Sequence, residues 1–129
     1  MVADGSTAVG YLLDTTTSLA TGGAKVLKVA NAGTEVFSVD KSGFIFETVG
    51  GAVASASTIT PTGSVFHVTG TTTISTINPP YTGFTGCITI IPDGIFLTNT
   101  SGNIAIASTS VVSKAICFTY DGTKWYPTY

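Results

Sequence analysis

Apolar and polar residues alternate in short bursts along this chain. "SVFHVTG" (64–70), "GCITIIP" (86–92) and "KAICFTYD" (114–121) carry apolar side chains at alternating positions, and Gly, Pro or Asp closes each burst. Alternation of this kind predicts half-buried strands. No window sustains an apolar i, i+3, i+4, i+7 pattern, so the prediction is an all-β chain. "TTISTI" (72–77), "GIFLTNT" (94–100), "NIAIAS" (103–108) and "KWYPTY" (124–129) complete a series of short strands. Turns are expected at Pro79-Pro80, Asp93-Gly94, Ser101-Gly102 and Asp121-Gly122. Seven strands at about ten-residue spacing predict a sandwich or jelly-roll-like module.

Ahead of that series lies a small repeat. "VLKVANAG" (26–33) and "VFSVDKSG" (36–43) share the form V-[LF]-x-V-x-x-x-G. Each unit reads as one strand and one turn, with Gly33 and Gly43 supplying the positive φ of a tight bend. Two copies are too few for a solenoid; they suit a β-meander or a fibre-like arm. "TVGGAVASASTITPTG" (48–63) is rich in small residues, and Gly50-Gly51 is the expected joint. The expected division is therefore an arm or stem over 1–50 and a β-module over 51–129.

The chain ends on "CFTYDGTKWYPTY", which predicts a hairpin with strands near 114–120 and 124–129 around Asp121-Gly122. Ile116, Phe118 and Tyr120 share one face of the first strand. Trp125 and Tyr129 share one face of the second, unless Pro127 bends it. Pro127 cannot donate a ladder hydrogen bond, so the last strand is expected at an edge or kinked. An aromatic edge strand calls for a cover. Phe118, Tyr120, Trp125, Tyr126 and Tyr129 are thus the candidate structural or interface residues. The opposing reading makes Trp125 and Tyr126 an exposed platform for stacking sugars.

Composition sharpens the picture. Only 9% of the 129 residues are charged and none is Arg, against about 25% charged in ordinary domains. The mean hydropathy is +0.45, yet no apolar run approaches the roughly 18 residues of a membrane helix. A small, uncharged, rather apolar surface points to cover by other subunits or a larger assembly. The net charge of −2 and scattered lysines exclude a phosphate-neutralising nucleic-acid surface. The N-terminus "MVADGSTAVGYLLD" lacks the basic stretch and apolar core of a signal peptide, so cytoplasmic synthesis is expected.

Candidate chemistry is sparse. His67 is the single histidine. The acids nearest it in sequence are Glu47 and Asp93, and it reads as a structural or surface residue. Cys87 and Cys117 read as small strand residues and, in a cytoplasmically assembled protein, as free buried thiols. Asp93 and Asp121 each precede Gly, where turn chemistry accounts for them without catalysis. Asn99-Thr100-Ser101 fits the glycosylation sequon, which matters only in a secreted eukaryotic protein. "TGGAK" (21–25) lacks the phosphate-loop spacing. No catalytic residue, metal or cofactor is expected.

The stretches "TITPTGSVFHVTGTTTISTI", "FTGCITIIPDGIFLTNTSGNIAIAS" and "KAICFTYDGTKWYP" resemble small β-rich structural modules of tailed-bacteriophage virions. The earlier "GGAKVLKVANAGTEVFSVDKSGFI" is similar to connecting repeats of phage tail fibres and spikes. The resemblance implies a homotrimeric, non-enzymatic virion protein. It would be a capsid decoration (cement) protein, head fibre or fibre module, made in the host cytoplasm. Its partners would be the major capsid protein or other virion proteins, with neither nucleic acid nor membrane. A receptor-binding fibre or spike module that recognises host surface glycan is the alternative. No binding motif carries over with the resemblance.

Overall fold

The computed structural model describes residues 13–128. Every regular element among them is a strand, so the described chain is all-β. The strands are β1 (Lys25–Asn31), β2 (Thr34–Asp40), β3 (Ile45–Glu47), β4 (Val53–Ala54), β5 (Thr58–Ile59), β6 (Val65–Thr69), β7 (Thr76–Ile77), β8 (Gly86–Pro92), β9 (Ile116–Tyr120) and β10 (Trp125–Thr128). They form sheets in the orders β1-β2-β3, β10-β9-β8-β6-β4 and β5-β7, none of them closed into a barrel. The chain divides into two compact units between Glu47 and Thr48. Gly50-Gly51 is therefore not at the division. Val49 pairs with Val65, and the Gly50 N–H donates to the Val65 carbonyl (2.8 Å), which ties this stretch into the second unit.

In the first unit the two copies of the repeat pair with each other. β1 and β2 are antiparallel and turn at Ala32-Gly33, whose φ values of 48° and 82° suit a two-residue hairpin. Val26 and Val36, the first residue of each repeat, are the odd ones out. Lys25 pairs with Asp40 and Leu27 with Val39; Val29 pairs with Phe37 and Ala30 with Glu35. Each valine is a bulge, and each bulge shifts the alternation by one residue. Lys25, Lys28, Glu35 and Ser38 consequently gather on one face. Lys25 forms an ion pair with Glu35, Lys28 Nζ lies 3.7 Å from the same carboxylate, and the Ser38 hydroxyl donates to it (2.8 Å). Lys25 also sits over the Phe46 ring. These contacts, Lys25 first, hold the Glu35 carboxyl below its ordinary pKa. The opposite face carries the rows Leu27-Val39-Ile45 and Val29-Phe37-Glu47. Val29 and Ile45 on that face are exposed.

The second unit consists of two walls around one core. In the first wall β4, β6 and β8 run parallel, and β9 and β10 follow antiparallel. The second wall starts from the parallel pair β5 and β7. It continues through a parallel bridge from Ile74 to Thr98 and an antiparallel one from Leu97 to Thr109. The chain passes from wall to wall at 53–59, 65–77 and 86–98, each pass stacking on the one before. Alternation sends Phe66, Val68, Ile88, Ile90 and Phe118 inward from the first wall, and Ile59, Ile74, Ile77 and Phe96 inward from the second.

A jelly roll is a double sheet of antiparallel strands, and the parallel pairing of β4, β6 and β8 departs from that plan. "GIFLTNT" and "NIAIAS" hold isolated bridges at Leu97, Thr98 and Ile104 in place of strands. Side chains take over part of their ladder. The Asn103 amide accepts from the Ile77 N–H (2.9 Å) and donates to the Ile77 carbonyl (2.8 Å), and the Phe96 N–H donates to the Ser110 hydroxyl (2.8 Å). Asp93-Gly94 also serves a different end from the one its dipeptide implies. A Cβ on Gly94 would lie 2.2 Å from the Gly70 carbonyl oxygen, so Gly is required by the close stacking of successive passes.

Candidate functional site

The C-terminal hairpin is built as its residues dictate. The Asp121 carboxylate accepts the Thr123 and Lys124 N–H groups (2.7 and 2.8 Å), and Gly122 takes φ 99°. Those backbone donors, Lys124 first, hold the Asp121 carboxyl below its ordinary pKa. The Tyr126 hydroxyl donates to the same carboxylate, and the neighbouring negative charge raises the phenol pKa. Trp125 pairs with Tyr120 and Pro127 with Phe118. Because the Trp125 N–H points away from β9, the ring nitrogen of Pro127, two residues on, faces the same outer side. No ladder bond is lost there.

Trp125 closes the end of the core. Its N–H donates to the Asn103 carbonyl and its own carbonyl accepts from Ala105 (both 2.8 Å), which covers the outer edge of β10 at that residue. The indole is 0% exposed, and its N–H donates to the Ile77 carbonyl in the second wall (2.8 Å). The Tyr120 and Phe84 rings lie 4.7 and 6.0 Å from the indole, centroid to centroid, and Tyr81 meets Phe84 edge-on. The candidate residues thus separate by position. Phe118 and Trp125 are core, Tyr120 is half-buried against Trp125, Tyr126 is at the surface, and Tyr129 lies outside the described residues. A stacking platform made of Trp125 and Tyr126 does not exist, since strand alternation turns one inward and the other outward.

Parallel pairing brings together what the sequence keeps apart. β6 and β8 put His67 beside Ile91, and Asp93 then bonds through its N–H to the Val68 carbonyl (2.9 Å). His67 Nδ1 lies 2.8 Å from Asp93 Oδ1 on the outer face of the first wall. Both side chains are more than two-fifths exposed, so the pair contributes about 0–1 kcal/mol to stability. An imidazole oriented by a carboxylate can act as a base towards a hydroxyl or thiol held at Nε2, but the residues described around it supply no such group. The cysteines also differ from expectation. Cys87 pairs with Thr119 and Thr89 with Cys117, so the cysteines are diagonal neighbours, with Cα atoms 6.5 Å apart, and are joined in a disulfide. Both face outward, where neither is buried. Reasoning from compartment could not see this register.

Two hollows complete the surface. One of about 300 Å³ is lined by residues including Pro61, Pro80, Phe84 and Ile88. Another of about 450 Å³ opens on the second wall between Thr73, Leu97, Asn99 and Thr109. Neither holds a charged side chain. Among the described residues no group of three or more His, Cys, Asp or Glu could hold a metal ion. No described helix is long and apolar enough to cross a membrane.

No protein-family model matches the chain, and no curated protein does. A solved structure described as "Structure of a chaperone-substrate complex" aligns with 69% of this chain at 13% identity and a TM-score of 0.40. The chain spans 20% of that protein's length. A likeness that distant carries nothing about fold or function.

Proposed function

We propose that this chain is a non-enzymatic structural subunit of a tailed-bacteriophage virion, a homotrimeric capsid decoration (cement) or head-fibre protein. The observation that supports the self-assembling part of this reading is the sheet β1-β2-β3. One of its faces is closed by ion pairs and the other is apolar, and the described part of the first unit contains no second layer to cover it. A sheet with one hydrophobic face is stable only when that face packs against another element. Further copies of the chain supply that element three at a time in this reading, and the uncharged composition suits burial in an assembly. The virion assignment rests on the sequence resemblance.

Light scattering or native mass spectrometry tests the subunit: the expected mass is three times 13.1 kDa. Incubation with capsids lacking decoration then tests the location, with saturable binding expected. A monomer at micromolar concentration would sink the reading. The second reading is a fibre or spike module that recognises host glycan. It draws on Tyr81, which is exposed beside the uncharged hollow lined by Phe84. Binding to host polysaccharide that is lost in Phe84→Ala and Tyr81→Ala, without capsid binding, would favour it.

A further inference from the structure

The two walls of the second unit differ in charge. Asp93, Lys114, Asp121 and Lys124 are the charged residues of 48–129. Asp93 joins His67 on the first wall, Asp121 and Lys124 form the β9–β10 turn, and Lys114 leads into β9. The excursion 94–113, which builds the far side of the second wall, has no charged residue. Its inward positions are filled by Phe96, Thr98 and Ser110, all buried. Its outward positions are aliphatic: Ile95 is 58% exposed, Leu97 50% and Val111 54%. The Leu97–Thr109 bridge, continued by one step each way, brings Val111 opposite Ile95. Exposed Ile106 and Val112 extend the strip. A contiguous apolar strip free of charge is a surface made to be covered.

We infer that the second wall, centred on Ile95, Leu97 and Val111, packs against further copies of this chain and forms part of the same oligomer interface as the apolar sheet of the first unit. This inference rests on the self-assembling reading above. Area decides the occupant. Three strands about 4.8 Å apart, each showing about five residues at about 3.3 Å, cover roughly 240 Å². Even doubled for surface relief, that is well short of the roughly 800 Å² each partner contributes to a standard interface. The sheet of the first unit therefore cannot hold an oligomer by itself. The second wall, four chain segments wide, adds an area of similar size, and its lack of charge leaves no ion to be buried unpaired. The hollow beside Leu97 supplies relief for side chains of a neighbouring copy.

The test uses the full chain with p-benzoylphenylalanine placed at Leu97 and, as control, at Thr119 on the outer face of the first wall. Irradiation followed by denaturing mass spectrometry should give covalent dimers and trimers from position 97 and monomers from position 119. Light scattering on the same samples separates the two ideas. An oligomer that yields only monomer from position 97 overturns this inference and leaves the proposed function standing. A monomer by light scattering overturns both. As a second measurement, Leu97→Lys with Val111→Lys should raise the concentration for half-dissociation at least tenfold. Should that variant misfold, the cross-link alone decides.

Discussion

Replacing Trp125 by Ala removes the largest side chain of the core from a site with no exposure. Losing a buried Trp costs about 3–5 kcal/mol, from lost transfer energy and the cavity left behind. The hydrogen bond to the Ile77 carbonyl is a smaller part, about 1 kcal/mol. That carbonyl also accepts from the Asn103 amide, so it is not orphaned when the indole goes. Trp125→Phe, which keeps a ring but no donor, should therefore cost well under half as much as Trp125→Ala. One kcal/mol moves the melting temperature of a domain this size by roughly 3–6 °C, so the Ala variant should melt at least 10 °C lower. Circular dichroism is the proper readout, because the variant lacks the chain's single Trp and with it the main fluorescence signal. Wild type and variants should be compared at one protein concentration, since assembly shifts apparent stability. His67→Ala serves as the mild control, with a shift of a few degrees at most given an exposed pair. A Trp125→Ala melting temperature within 2–3 °C of wild type, at the expected ~1 kcal/mol resolution of such scans, would refute the role of Trp125 as the closure of the core.

Gly94→Ala should destabilise by about 1–3 kcal/mol or block folding, since backbone meets the added methyl, whereas Gly51→Ala, with open space around it, should be near neutral in the same urea titration. Asp121, whose folded pKa is depressed, adds stability that is complete above its unfolded pKa near 3.8 and lost as pH falls through the lower folded value. Wild type and Asp121→Asn should therefore differ in melting temperature at pH 6 and converge by about pH 2, a window set by that direction of shift; a gap that persists at low pH would contradict it. Glu-C protease should cut native protein after Glu47, at the division between units, before it cuts after Glu35, whose carboxylate is held by Lys25 and Ser38. Peptide mapping that finds first cleavage within 49–54 would show that this stretch is not held in the sheet.

Local chemistry in the sequence determined the all-β character, the hairpin at Asp121-Gly122 and the inward set Phe66, Val68, Phe118. Alternation and turn residues act within a few positions of themselves, so they can be read without knowing the partner. The edge position of Pro127 was legible for the same reason, because a missing N–H is tolerable only where no ladder bond is needed. The tertiary structure alone decided which strands pair and in which direction. Period-two alternation says that a strand has an inner face but does not say what lies beside it. Parallel stacking of β6 on β8 brought Asp93 to His67 across 26 residues of sequence, and the β8–β9 register joined Cys87 to Cys117. It also assigned strands to Val53–Ala54 and Thr58–Ile59, where small residues give no local signal, and withheld them from 94–100 and 103–108, where the Asn103 and Ser110 side chains satisfy backbone groups a neighbouring strand would have served. The repeat at 26–43 followed the same division. Its turns were visible, but the bulges at Val26 and Val36 that sort ion pairs from apolar side chains exist only once the two copies pair.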